Sequence, residues 1–283
     1  MTENLEQVNS GTVETNEVSH EATLFAEPVF HVGNLTITNS LINSWATVFI
    51  LVVLFVLLSR RIKSVPRGIQ NVFEIVLEEA LKLGDSVTGN RKKTEKFLPI
   101  SLTLFLFILV NNWLGLLPGI GTIGFIEAEG AHKVFVPILR GATADLNMTL
   151  ALSLFAVVMS HVLAVMAIGI KTHLNKFINV KAILEIPVKI KKDISVVLVN
   201  PIKAFVGIIE IIGEIAKVAS LSFRLFGNIF AGEVLLASMM AIMAYILPIP
   251  FMFMEIIVGL IQALIFAMLT MVFMTIASSA EEH

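Results

Sequence analysis

The sequence contains no cysteine, which excludes a disulfide, a thiolate metal site and a cysteine nucleophile. Charge is also scarce: 15% of its 283 residues are charged, against about a quarter in a soluble domain. No lysine or arginine occurs before Arg60, so the start lacks the basic flank of a secretory signal peptide. Insertion into a membrane is then expected to use the spanning helices themselves. No phosphate-binding loop of the form Gly-x-x-x-x-Gly-Lys-Ser/Thr is present, nor a tightly spaced metal-ligand cluster. The chain is therefore expected to hydrolyse nothing alone, to bind no metal and to carry no cofactor. The net charge of −2 says little about partners, and nucleic acid is not expected.

What is abundant is apolar sequence, at 56% hydrophobic residues and a mean hydropathy of +0.88. Several apolar runs of about 20 residues predict an all-α, polytopic membrane protein. Residues 1–40 carry Glu3, Glu6, Glu14, Glu17, Glu21 and Glu27 and are expected to form a mobile acidic tail, with a docking arm as the alternative. Residues 41–283 are expected to form one membrane domain, with spans at 41–59, 97–117, 146–170, 201–247 and 251–278. Ile69, Val72, Phe73, Val76, Leu77 and Leu81 recur at helical spacing, and Val65-Pro66 precedes them. That pattern predicts an interfacial amphipathic helix over 67–83.

Between Pro201 and Pro248 there is no proline. At about 1.5 Å per residue this arm would be roughly 70 Å long, against a hydrocarbon core of about 30 Å. It must tilt steeply, bend, or leave the bilayer, and Pro248 and Pro250 are expected to turn the chain into a returning arm. Lysine and arginine set the orientation. They number nine in 60–96 and seven in 171–203, against two in 119–144. The N-terminal segment and the 119–144 loop are therefore expected outside, and the C-terminus in the cytoplasm.

Arg224 lies inside the apolar arm, where a fixed charge costs about 3 kcal/mol on insertion scales. Guanidinium cannot lose its proton to escape that cost. Glu210, Glu214, Lys217, Leu221, Arg224 and Asn228 follow one another at spacings of three and four and share one stripe. Glu233 falls about 180° away and addresses another neighbour. Glu255 and Gln262, seven apart, share a face of the returning arm, and Asp145 and Asn147 open the third span.

Two polar sets result. Asp145, Glu233, Glu255 and Gln262 belong to the outer side, and Glu210, Glu214 and Lys217 to the inner side, with Arg224 between them. Two hydrated half-paths separated by a fixed positive charge would carry ions without connecting directly. Glu214–Lys217 reads equally well as an ion pair between helical neighbours. His161 reads as a packed or hydrogen-bonded side chain, or as a further ion-transfer residue together with Asn147. Met239, Met240, Met243, Met252 and Met254 read as lipid or core contacts. An autonomous secondary transporter would predict related halves, and no internal repeat is found. A non-conducting scaffold is the remaining alternative.

The run Ser222-Phe223-Arg224-Leu225-Phe226-Gly227-Asn228, followed by Ala231-Gly232-Glu233, resembles the signature of subunit a of rotary F-type ATP synthases. Thr143 to Thr149, Asn112 to Pro118 and Gln262 to Phe266 resemble further segments of that family, so the likeness spans about 41–283. The resemblance implies a non-catalytic stator subunit in a bacterial plasma membrane, beside a c-subunit ring and b-type peripheral-stalk subunits. It implies an upright helix, an interfacial helix, a helical pair and a long tilted C-terminal hairpin against the ring. Arg224 would act on the ring carboxylate and separate the half-channels. Asn228, Glu233 and Gln262 match outer-path positions, Asp145 its mouth and Glu210 the inner path. Two residues depart: Glu255 stands where many bacterial relatives carry His, and Ala142 where Pro is usual. Two acidic groups at 233 and 255 leave both a proton relay and a sodium-translocating form open.

Overall fold

The structure, a computed structural model, describes residues 23–60, 68–117, 123–129, 132–177 and 195–279. Within the segment expected to be a mobile tail, β1 (Pro28–Val32) and β2 (Leu35–Thr38) instead pair antiparallel. Gly33 makes the turn at φ +61°. The hairpin satisfies backbone groups locally, and Ile37 on its second strand is buried. Residues 1–22 of that tail lie outside the described residues.

Thr38 caps α1 (Asn39–Ser59) by accepting the Leu41 N–H, so the first span starts two residues before the expected position. The amphipathic helix is α2 (Ile69–Thr88), longer than expected and closed by Gly89 at φ +64°. Asn90 caps α3 (Arg91–Gly115) through the Lys92 N–H, so the second helix starts six residues before the expected span, with Arg91, Lys92, Lys93 and Lys96 in its first turns. The glycine-rich loop folds into a second hairpin of β3 (Gly124–Glu129) and β4 (His132–Pro137). A single 3-10 turn at Ala142–Ala144 leads into α4 (Leu146–Ile168).

After Gly169 comes the short α5 (Ile170–Phe177). Of the residues counted toward orientation, Arg61, Lys63, Arg67, Lys181, Lys189, Lys191 and Lys192 lie outside the described residues. The long arm is α6 (Ser195–Ile242), 48 residues or about 72 Å, and it stops five residues before the expected end. Pro248 and Pro250 do not form the turn. They occupy the first turn of α7 (Pro248–Ser278), where a missing N–H leaves no intrahelical bond unmade. Helices α1, α3, α4, the 205–242 part of α6, and α7 are each long and apolar enough to cross a membrane.

Helix α7 is central, packing against α2, α3, α4 and α6. One core cluster joins Leu104, Ile108 and Leu109 of α3, Ala156 of α4, Leu221 and Leu225 of α6, and Ala263 and Phe266 of α7. A second joins Phe97 and Leu98, Leu163, and Met271 and Met274. Only the later part of α2, around Ala80, Leu81 and Val87, reaches that second cluster, while Val72 and Ile75 are exposed. The core methionines are thus Met271 and Met274, whereas Met240, Met243 and Met254 are exposed.

Lipid tails give no hydrophobic reason for helices to associate, so close packing and interhelical hydrogen bonds carry that task. Asn112 donates to the Gly259 carbonyl at 3.0 Å, and Trp113 Nε1 to that of Ile256 at 3.1 Å, tying α3 to α7. Asn43 donates to Asn111 at 3.0 Å, tying α1 to α3. Gly115 sits so near Gly141 that an added Cβ would lie 2.9 Å from a backbone Cα, which no rotamer change can relieve. Gly115→Ala is therefore expected to destabilise the purified subunit by about 1–3 kcal/mol, seen as a lowered melting temperature in detergent.

Candidate functional site

Arg224 is placed by what lies beside it in the chain. Leu221 and Leu225 are fully buried in the first core cluster, and Ser222, also buried, meets Thr149 of α4 at 3.2 Å. With those three turned inward, Arg224 lies about 105° round the helix from their mean direction, clear of the packed side of α6. It is exposed, and its Nη2 donates to Ser220 Oγ at 3.3 Å. Among the described residues no carboxylate forms an ion pair with it. Asn228, exposed on the next turn, donates to the Arg224 carbonyl at 3.0 Å. Ser220, Phe223, Gly227 and Ala231 complete an open face, and a Cβ at Gly227 would meet nothing.

The stripe read from the sequence does not share one environment. A repeat averaging 3.5 residues drifts on a helix of 3.6, which sets Glu214 and Arg224 about 80° apart. Glu214 consequently faces α4. Its Oε1 accepts from Lys217 Nζ at 2.7 Å, and its Oε2 lies 3.3 Å from His161 Nε2. Lys217 also sits over the Phe273 ring of α7, 5.2 Å from its centroid. On the other side of His161, Nδ1 lies 3.2 Å from Nε2 of His173, a residue the sequence reading passed over. The signal was present: a glycine shortly after an embedded histidine, then a second histidine four residues later. Glu210 is half-buried on the same arm, beyond this group.

On the other side of Arg224, the structure gives Glu233 a partner the sequence reading had only counted. Arg140, 5% exposed, donates Nε to Oε1 at 2.8 Å and Nη2 to Oε2 at 2.7 Å. Its remaining N–H groups reach Thr23 Oγ1 and the Thr23 and Phe25 carbonyls. An embedded carboxylate calls for a counter-charge, and a single arginine five residues before Asp145 was the available one. Glu255, 4% exposed, lies against α6 where a side chain at Gly232 would stand. Among the described residues nothing donates a hydrogen bond to it. Glu233 and Glu255 therefore meet neighbouring positions of α6 with different surroundings.

Asp145 caps α4 by accepting the Asn147 N–H at 3.0 Å and also accepts from Ser40 Oγ at 3.0 Å. It is 5% exposed, while Asn147 is exposed. Gln262 is half-buried on α7. Ala142, where the resembled family has Pro, is buried at the start of the 3-10 turn. Among the described residues, no group of three or more His, Asp or Glu side chains is arranged to hold a metal ion.

The chain matches the family model described as ATP synthase A chain over residues 41–275. It is 35% identical over 240 residues to ATP synthase subunit a 1 of Syntrophotalea carbinolica, covering 85% of each chain. It is 35% identical over 222 residues to ATP synthase subunit a of Mycobacterium tuberculosis, covering 77% of each. To the Campylobacter jejuni ATP synthase subunit a it is 29% identical over 266 residues, covering 94% of each. With an arginine exposed on a spanning helix and polar groups on either side of it, the chain belongs to the ATP synthase A chain family, the proton-translocating stator component of the synthase's membrane sector.

Proposed function

We propose that this subunit conducts protons to and from the carboxylates of a rotating c-subunit ring through two offset half-channels, with Arg224 separating them. The observation that carries this reading is Arg224 itself: a permanent cation, exposed on an apolar helix, with no counter-ion within the described chain. A charge costly to insert and unpaired among the described residues implies a carboxylate on a partner. The small side chains around it, Ser220, Gly227 and Ala231, allow a partner helix to come close.

Lipid raises the pKa of a ring carboxylate, and a nearby guanidinium lowers it. A proton is thus loaded before the carboxylate meets lipid and released where it meets Arg224. The membrane potential adds about 2.3 kcal/mol per charge per 100 mV. Asp145, Asn147, Asn228, Glu233, Glu255 and Gln262 form the outer path, and Glu210, Glu214, Lys217 and His161 the inner path. Both lysine-rich regions and the C-terminus lie in the cytoplasm of a bacterial cell and the 119–144 loop outside, in the plasma membrane. The b-type stalk subunits hold the chain stationary.

Arg224→Ala is expected to abolish ATP-driven acidification of inverted vesicles while the catalytic sector still hydrolyses ATP. Coupled pumping that survived this change would sink the mechanism. Gly227→Leu leaves the chain's own packing intact, because the position is open. It should nevertheless lower pumping at least tenfold by keeping the ring helix at a distance, so an unchanged rate would remove the ring from this face. Glu233→Gln combined with Glu255→Gln should block pumping without stopping hydrolysis by detached catalytic subunits. Normal acidification by that double variant would mean the outer path runs elsewhere.

A further inference from the structure

The positions of His161 and His173 have a consequence beyond the two half-channels. In one continuous helix these residues, twelve apart, would stand about 18 Å from each other along the axis. Their ring centroids are 5.2 Å apart. Gly169 closes the distance: at φ +84° it ends α4 and redirects α5 back along it, a backbone conformation strained for any residue with a Cβ. Phe177 packs edge-on against both rings, and His173 is 5% exposed. A helix break, an aromatic clamp and two imidazoles together form a built site.

We propose that His173 and His161 are proton-carrying residues that supply the inner half-channel, passing protons between the Gly169 end of α4 and Glu214. The proposal rests on the half-channel reading above. Among the described residues, the groups facing the pair are Glu214 and Lys217 from α6, with Phe177 of α5 beside the rings and Phe273 of α7 against Lys217. Nitrogen to nitrogen, the rings are 3.2 Å apart, and His161 Nε2 is 3.3 Å from Glu214 Oε2. The first is a hydrogen bond; the second has a similar length without hydrogen-bond alignment, so transfer to Glu214 requires a turn of the His161 ring.

Nδ1 of His173 is buried, so a proton reaches it only when the Gly169 end of α4 opens locally, and it then makes that ring an imidazolium. The ring then gives its Nε2 proton to His161 Nδ1. His161 in turn gives its Nε2 proton to the Glu214 carboxylate, whose other oxygen Lys217 holds. One proton enters and one arrives, and no bond other than N–H and O–H changes. Each ring finishes in the opposite tautomer, so the next transfer in the same direction follows a ring rotation. Imidazole suits this position because its charge changes near cytoplasmic pH. The lysine–glutamate pair at its far end sits next to the stripe that leads toward Arg224.

The test uses the whole synthase in inverted vesicles, whose outer medium bathes the face proposed to be cytoplasmic. His173→Gln and His161→Gln keep a polar side chain of similar reach but cannot carry a proton at neutral pH. Each is expected to slow ATP-driven acidification by about a hundredfold where proton transfer limits the rate. Each should also flatten the dependence on medium pH between about 6 and 8. Added imidazole, which fits the space emptied in His173→Ala, is expected to restore pumping in that variant. The proposal is overturned if both glutamine variants pump as the parent does over this range. It is equally overturned if imidazole leaves the His173→Ala loss unchanged in synthase containing normal amounts of the subunit. If Arg224→Ala stops pumping while the histidine variants do not, this relay falls and the half-channel reading stands.

Discussion

A guanidinium that cannot be neutralised is held, on an apolar helix, clear of the packed core. The structure does this by fastening the other side. Leu221 and Leu225 enter the core cluster shared by α3, α4 and α7, and Ser222 meets Thr149. Those contacts set the rotation of α6 about its axis. Turning the helix to bury Arg224 would expose two leucines from the interior and place a charge among Leu104, Ile108 and Phe266. Apolar packing on one face thus creates the electrostatic opportunity on the other. The polar groups on either side of the arginine then acquire their neighbours from the same rotation.

The polar groups on the two sides of Arg224 along the chain are stabilised differently. Near Glu233, Arg140 makes a two-pronged contact and is itself held by backbone carbonyls of residues 23 and 25. That arrangement is rigid, since planar guanidinium and carboxylate fix one another in two directions. Around Glu214 the contacts are single and link four side chains from three elements, Lys217, Glu214, His161 and His173. A chain of single contacts with two imidazoles allows tautomers to exchange, whereas the arginine clamp does not. Asp145 combines local and interhelical roles, capping α4 while receiving Ser40 of α1. Its place at the start of α4 was evident from the residue order, but its engagement with α1 depends on packing.

Much of the architecture was legible because hydrophobic length and proline are local signals. The five spans, α2 and the excessive length of α6 all follow from runs of apolar residues read against a fixed rise per residue. The departures are equally local in origin. Asn90 capping moved the start of α3 forward, and Pro248 and Pro250 opened a helix instead of making a turn. The hairpin at 28–38 was hidden by an acidic composition that resembles disorder, and its turn at Gly33 and its buried Ile37 are signals of only one residue each. Of the candidate residues, those on one helix could be grouped by angle. Arg140 and His173 could not, since each depends on a loop or a break bringing it back to a distant segment.

The sequence alone determined that the chain spans a membrane, that Arg224 is an embedded charge, and that acidic groups lie on either side of it along the chain. Those properties follow from residue identity, helical rise and the cost of charge in lipid. Tertiary structure decided that Arg224 faces outward, that Glu233 belongs to Arg140, and that Glu214 opens onto two histidines. A helical stripe specifies an angle about one axis but not which neighbour occupies it. Only the packing of α3, α4, α5 and α7 around α6 supplies that neighbour.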